Sequence, residues 1–285
     1  MRHQNPPKIS VVVPCFNEEQ TIATCLRALE KQTVKLHEII VVDNNCTDNT
    51  ASVAASFVGV KILQEPVQGL KPARNAGMNA ASGDIIARID ADSRVAPNWA
   101  ETIAKTMANP KVQAVTGTGY FYDAPCKKLV RSFRNVFAVW LNRLVLRHHM
   151  LWGSNMAVRA SVWRTVVNDC CALADIMEDL DIAMHIHSHF DAKAIAYRPR
   201  MRADISARRA MVSAPQNWRY LKMWPYTLSL HNRPRRVMLW PAIGILIAGM
   251  AIGSKVARFY NTSEDRMIFS LAQWRSTALY NRANP

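Results

Sequence analysis

The sequence predicts an α/β fold: a mostly parallel central sheet with helices on both faces, followed by a helical, basic C-terminal region. Short β-branched runs alternate with helical stretches through the first 120 or so residues, which is the pattern of parallel strands joined by helical crossovers. The runs end in loops rich in Asn and Asp, and in such sheets ligands bind beyond the carboxyl ends of the strands. Hydrophobic residues make up 49% of the 285, enough to bury one large α/β domain or one domain plus an appendage.

Residues 9–13 read as a first strand and 18–32 as a helix with Ile22, Leu26 and Leu29 on one face. Residues 38–42 form the next strand, ending in Asp43-Asn44-Asn45, and Thr47-Asp48-Asn49 supply caps for a helix through Ser56. A short strand at 61–63, a helix at 72–81 stopped by Gly83, and a strand at 84–89 follow. The strand at 113–118 precedes residues 127–149, where Leu129, Phe133, Trp140 and Leu144 recur at helical spacing among arginines and lysines. This basic amphipathic helix either packs on the sheet or lies on a membrane surface. Residues 153–159 are extended, and 175–187 form a helix with Glu178, Asp179 and Asp181 near its start, where acids favour the helix dipole.

Charge is distributed unevenly. Residues 1–126 carry 12 basic and 12 acidic side chains, whereas 127–285 carry 24 and 9, so the whole excess of +15 lies in the second half. Such a surface attracts phosphates, whether of nucleic acid, anionic lipid or a lipid-linked acceptor. The six cysteines show no CxxC spacing and no metal-ligand arrangement, and several fall inside apolar runs as small buried hydrophobes would, which fits a reducing compartment. The first ten residues lack the apolar stretch of a secretory signal, so a cytoplasmic protein is expected.

Three acidic positions arrive at one edge of the predicted sheet: Asn17-Glu18, Asp43 and Asp90-Ala91-Asp92. Two residues apart on an extended backbone, Asp90 and Asp92 point to the same side. Paired hard oxygen ligands suit Mg2+ or Mn2+, which complete their shells with substrate phosphates.

In order along the chain, Val11-Val12-Val13-Pro14-Cys15-Phe16-Asn17-Glu18-Glu19, Ile40-Val41-Val42-Asp43, Gly69-Leu70-Lys71-Pro72-Ala73-Arg74-Asn75-Ala76-Gly77 and Asp90-Ala91-Asp92 resemble the family 2 glycosyltransferases. The resemblance continues through Gly153-Ser154-Asn155-Met156-Ala157 and Glu178-Asp179 and covers about residues 8–200. It implies a GT-A-type domain over residues 6–200, an inverting transfer from a nucleotide-sugar donor to a glycan or lipid-linked hydroxyl acceptor, and a divalent cation, with uridine the commonest base in the family. It also implies roles by position. Pro14, Phe16, Asn17 and Glu18 cradle the nucleoside, Asp43 recognises the base and Arg74 lies near the nucleotide. Asp90 and Asp92 hold the diphosphate through the cation, with Asp92 the closer ligand, and Asp179 is the catalytic base. A catalytically inactive nucleotide- or lipid-binding module of the same fold is the alternative.

Gln216-Asn217-Trp218-Arg219-Tyr220 resembles the QxxRW element of processive family members, with Tyr in place of the final Trp. There Arg219 would neutralise diphosphate charge. From 198 to 236 the chain carries ten Lys or Arg and one acid, interleaved with Trp and Tyr. Residues 237–253 then run seventeen positions without a charge, at the lower edge of what spans a bilayer and interrupted by Pro241. The region 201–285 is therefore expected to meet acceptor or membrane at the inner face of the cell membrane, with no nucleic acid as partner.

Overall fold

The computed structural model describes residues 6–123, 139, 142–173, 175–191, 193–208, 214–231, 260–261 and 266–267. The expectations for residues 127–141, apart from 139, and for 237–253 lie outside them. Among the described residues no helix is long and apolar enough to cross a membrane. The chain divides into two compact units, Met1–Gly119 with Arg147–Ile205, and Tyr120–Leu146 with Ser206–Pro285.

In the first unit the strands are β1 (Ile9–Cys15), β2 (Glu38–Asp43), β3 (Val60–Gln64), β4 (Ile85–Arg88), β5 (Arg94–Val95), β6 (Ala114–Thr118), β7 (Met156–Arg159) and β8 (Ile195–Asp204). They form one sheet in the order β3-β2-β1-β4-β7-β6-β8-β5. β3, β2, β1 and β4 are mutually parallel, β7 runs antiparallel to β4 and β6, β8 is parallel to β6, and β5 is antiparallel to β8. The mostly parallel sheet is thus observed.

The helices are α1 (Ile22–Glu30), α2 (Thr50–Ala55), α3 (Leu70–Ala80), α4 (Trp99–Met107), α5 (Asn142–Leu146), α6 (Ala160–Val166), α7 (Glu178–His189) and α8 (Ala214–Leu230). Strand alternation sorts the core into two layers. Val11, Val13, Val41, Ile85 and Ala87 face α1, α2 and α4 through Leu26, Ala54 and Ile103, while Val12, Ile40, Val42 and Ile86 pack with Met78, Trp163 and Ile182. Burying both faces explains why β1 and β2 read as continuous apolar runs rather than alternating ones.

Pro14 is tolerated inside a central strand because β4 pairs with β1 only as far as Val12. α1 and α7 begin later than expected, and α3 ends at Ala80 with Ala81 already extended, so Gly83 does not stop it. Of the proposed caps of α2, Asp48 serves: its Oδ1 accepts a hydrogen bond from the Thr50 N–H at 3.0 Å. In the second unit, β9 (Tyr260–Asn261) and β10 (Arg266–Met267) form an antiparallel pair.

Candidate active site

The carboxyl ends of β1, β2 and β4 open onto one edge, and the loops there are cross-braced by side chains. Asn17 adopts φ 54°, a left-handed conformation Asn tolerates, and its Oδ1 accepts a hydrogen bond from the Thr47 N–H at 2.8 Å. The Glu18 N–H donates to Thr50 Oγ1 at 2.7 Å, and Thr21 Oγ1 donates to Glu18 Oε2 at 2.7 Å. Pro14 is buried, whereas Phe16 is exposed beside this turn. Asp43 ends β2 almost fully buried, accepting from the Cys46 N–H at 2.8 Å and Gln64 Nε2 at 3.0 Å. Burial alone would raise its pKa, but these donors hold it below the ordinary aspartate value. Buried Asn44 accepts from the Gly69 N–H at 2.7 Å and donates to the Glu65 and Val67 carbonyls, which ties the loop before α3 to the end of β2.

β4 ends at Arg88, and Asp90-Ala91-Asp92 forms a turn closed by a 3.0 Å hydrogen bond from the Ser93 N–H to the Asp90 carbonyl. The extended backbone assumed for this triplet is therefore corrected: a turn, not strand alternation, sets the two carboxylates. Asp92 is buried, while the Asp90 side chain is 22% exposed, so the pair presents one sheltered and one accessible carboxylate.

Asp179 stands in the first turn of α7. Its Oδ2 accepts from the Gly153 N–H at 2.9 Å and its Oδ1 from its neighbour Leu180 at 2.9 Å. Burial, reinforced by the adjacent Glu178 anion, pushes its pKa up to about 6, against the opposing pull of these donors and of Arg88. Glu178 takes the cations. Arg88 Nη1 hydrogen-bonds Glu178 Oε1, and Arg74 Nη1 lies 3.0 Å from Glu178 Oε2. Burial would raise Glu178, but the two guanidiniums hold it below the ordinary glutamate value. Arg88 Nη2 also lies 3.6 Å from Asp90 Oδ1, so one buried guanidinium bridges the Asp90 turn and the Glu178-Asp179 pair. Gly153 permits this. A Cβ there would sit 3.0 Å from Arg88 Nη1.

The family model for glycosyl transferase family 2 matches residues 10–167, more than half of the chain. The chain belongs to that family. Among its relatives, the glycosyltransferase GlyG of Streptococcus pneumoniae is 35% identical over 120 residues, 40% of each chain. The glycosyltransferase AglE of Haloferax volcanii is 33% identical over 122 residues, again 40% of each. The matches thus span about 40% of the length of these curated relatives. Among solved structures, a mannosyltransferase from Pyrobaculum calidifontis in complex with GDP-Man and Mn2+ superposes with TM-score 0.65 at 18% identity, covering 90% of this chain and 75% of that one. Glucosyl-3-phosphoglycerate synthase from Mycobacterium tuberculosis, in complex with Mn2+, UDP-Glc and phosphoglyceric acid, gives 0.59 at 17% identity over 78% and 79%. The family 2 chain therefore has the GT-A fold expected of it.

Of the residues anticipated in this family 2 chain, Asp43, Asp90, Asp92 and Asp179 gather at the same sheet edge, with Asn17 and Glu18 bracing its rim. Arg74 is 1% exposed, with its guanidinium 3.0 Å from Glu178 and 5.5 Å from the centroid of the Trp163 ring. Arg219 lies on α8, with its side chain outside the described residues. Arg88 was missed, although a lone charge within the apolar strand Ile85–Arg88 was the available signal. Asn155, part of the Gly-Ser-Asn-Met signature, is architectural. Its Nδ2 donates to the Thr118 and Met201 carbonyls and its Oδ1 accepts from Trp99 Nε1, all at 2.8 Å.

Proposed function

We propose that this family 2 chain is an inverting glycosyltransferase that moves a sugar from a nucleotide-diphosphate donor, by family preference a uridine one, to a hydroxyl acceptor. The observation that carries this reading is the Arg88 bridge, which sets the Asp90 turn and the Glu178-Asp179 pair side by side.

The acceptor hydroxyl is a weak nucleophile until a positioned base removes its proton. Asp179, with its pKa up to about 6, is ionised at neutral pH yet basic enough for that task. A single base serves a single displacement, which inverts the anomeric carbon. Retention through a covalent intermediate would need a carboxylate nucleophile on the opposite face of the sugar.

Sheltered Asp92 and accessible Asp90 offer hard oxygen donors that fit Mg2+ or Mn2+. When bound, such an ion stabilises the charge that develops on the departing diphosphate. The Mn2+ complexes of the fold neighbours support this assignment. Asp43 accepts from the Cys46 N–H and from Gln64 Nε2, and the lone pairs of its two oxygens give it acceptor capacity for a base N–H as well.

The excess of basic residues in 127–285 supports a phosphate-bearing, lipid-linked acceptor and peripheral contact with an anionic membrane at the cytoplasmic face. Co-sedimentation with anionic liposomes at low salt, lost at high salt, is expected; no binding at low salt overturns the membrane contact.

The decisive experiment is transfer by purified protein from a panel of nucleotide sugars with Mn2+. Asp92→Ala and Asp179→Ala each abolish transfer while circular dichroism stays unchanged. Near-normal turnover by either variant removes that residue from its role. Donor binding without transfer or hydrolysis by the unsubstituted protein would favour an inactive binding module.

A further inference from the structure

The sequence treats the cysteines as buried hydrophobes, but the fold brings one of them to two other metal-binding side chains. Cys171 Sγ, an Asp181 carboxylate oxygen and a His185 ring nitrogen all lie within 4.8 Å of one another. Asp181 and His185 stand four apart on α7 and so share a helix face, with Asp181 Oδ1 and His185 Nε2 at 3.5 Å. Cys171 arrives from the loop before that helix, and its N–H donates to Asp181 Oδ2 at 2.8 Å.

We propose that Cys171, Asp181 and His185 form a binding site for a borderline d-block cation such as Zn2+, separate from the Asp90-Asp92 pair. Ligand chemistry selects the ion: thiolate and imidazole beside one carboxylate suit Zn2+, whereas Mg2+ and Ca2+ take oxygen ligands. Spacing agrees. Tetrahedral arms of about 2.0–2.3 Å separate ligand atoms by roughly 3.2–3.7 Å. The carboxylate and imidazole already stand at that separation, and the sulfur needs a shift of about 1 Å or less.

The supporting contact is built in as well. The Cys171 N–H fixes Asp181 Oδ2, leaving Oδ1 on the His185 side, the way outer-shell donors orient ligating carboxylates. Asp181 is 1% exposed, and a thiolate plus a carboxylate neutralise a divalent ion in that sheltered place. The Lys71 ammonium hydrogen-bonds the Cys171 carbonyl, so its positive charge lies nearby, which makes that full neutralisation necessary. The ion would staple the loop at Cys171 to the helix whose first turn carries Asp179, two residues from Asp181.

The test uses the full chain, stripped of metal and held in excess Mg2+ so that the Asp90-Asp92 pair is occupied. Co2+ serves as spectroscopic stand-in. One equivalent is expected to produce tetrahedral visible bands and a near-ultraviolet thiolate-to-cobalt band, which Zn2+ then displaces. Cys171→Ser should abolish the thiolate band, and His185→Gln should weaken Co2+ affinity at least about tenfold, while Asp92→Asn leaves both signals intact. Absence of the thiolate band at one equivalent overturns the proposal. So does its persistence unchanged in Cys171→Ser, which would assign it to another cysteine. If Cys171→Ser does not fold, unaltered Co2+ affinity in His185→Gln is equally fatal.

Discussion

Two carboxylates mark the opposite edges of the sheet, and they titrate in opposite directions. At the amino-end edge, Glu38 opens β2. Its Oε1 accepts from Ser10 Oγ at 2.6 Å and from both the N–H and Oγ of Ser82 at 2.7 Å, and its Oε2 accepts from Lys61 Nζ at 2.6 Å. Burial would raise its pKa, but the Lys61 ammonium and the serine donors bring it down to about 2. At the carboxyl-end edge, Asp179 also accepts two backbone hydrogen bonds, yet burial and the Glu178 anion push it up to about 6. Burial is common to both. The difference lies in where the positive charge goes: Glu38 receives its own lysine, whereas Arg74 and Arg88 are committed to Glu178 and leave Asp179 with backbone donors and an anionic neighbour. A carboxylate that braces the fold is saturated with donors, and one kept basic is starved of them.

The largest effect that could break this contrast is a pair of isosteric substitutions. Asp179→Asn should lower kcat for sugar transfer roughly a thousandfold with the urea midpoint nearly unchanged. Glu38→Gln should leave kcat per folded molecule intact and cost about 2–4 kcal/mol in urea unfolding, because three serine donors and an ammonium lose their anion. Loss of activity in Glu38→Gln at full folding would end the distinction between the two edges.

Next in size is the pH dependence. The base works ionised, so kcat/KM should fall about tenfold per pH unit below pH 6 or so, where Asp179 takes up its proton. Glu38 has a depressed folded-state pKa. Its contribution to stability is complete above the ordinary glutamate value of 4.5 and is lost as pH falls toward about 2. Glu178→Gln sharpens the comparison, since it removes the anion beside Asp179 and frees Arg88 to act on it. Both changes lower the Asp179 pKa, so the acid limb of the rate profile should move to lower pH. A limb that stays put means Glu178 does not set the basicity of Asp179. The smallest effect is Lys61→Met, expected to cost less than about 1 kcal/mol in urea unfolding because the Lys61 side chain is 65% exposed.

Much of this was legible in the sequence. Doubly buried strands announce themselves as β-branched runs, and β1 and β2 were read within two residues of their ends. β8 was not, because Arg198, Arg200 and Arg202 occupy a strand whose interior residues are Ile195, Ala196, Met201 and Ala203, and the basic side chains dominate its composition. α4 was hidden by its polar positions, although Trp99, Ile103 and Met107 line one buried face. The acidic residues of the site were found because they punctuate strand ends. Arg88 was not, since its importance lies in a contact with a residue 90 positions away that no local pattern records, and Asn155 was visible in its motif while its bonds to Trp99, Thr118 and Met201 were not.

Arg88 ties two regions into one thermodynamic unit. Because its guanidinium is shared between Asp90 and Glu178, neutralising either carboxylate changes what the other one holds. Asp90→Asn and Glu178→Gln should therefore be non-additive in a double-mutant cycle, with a coupling energy on the order of 1 kcal/mol. In that sense the two halves of the site form a closed circuit through a single side chain, and variation on one side constrains what is tolerated on the other.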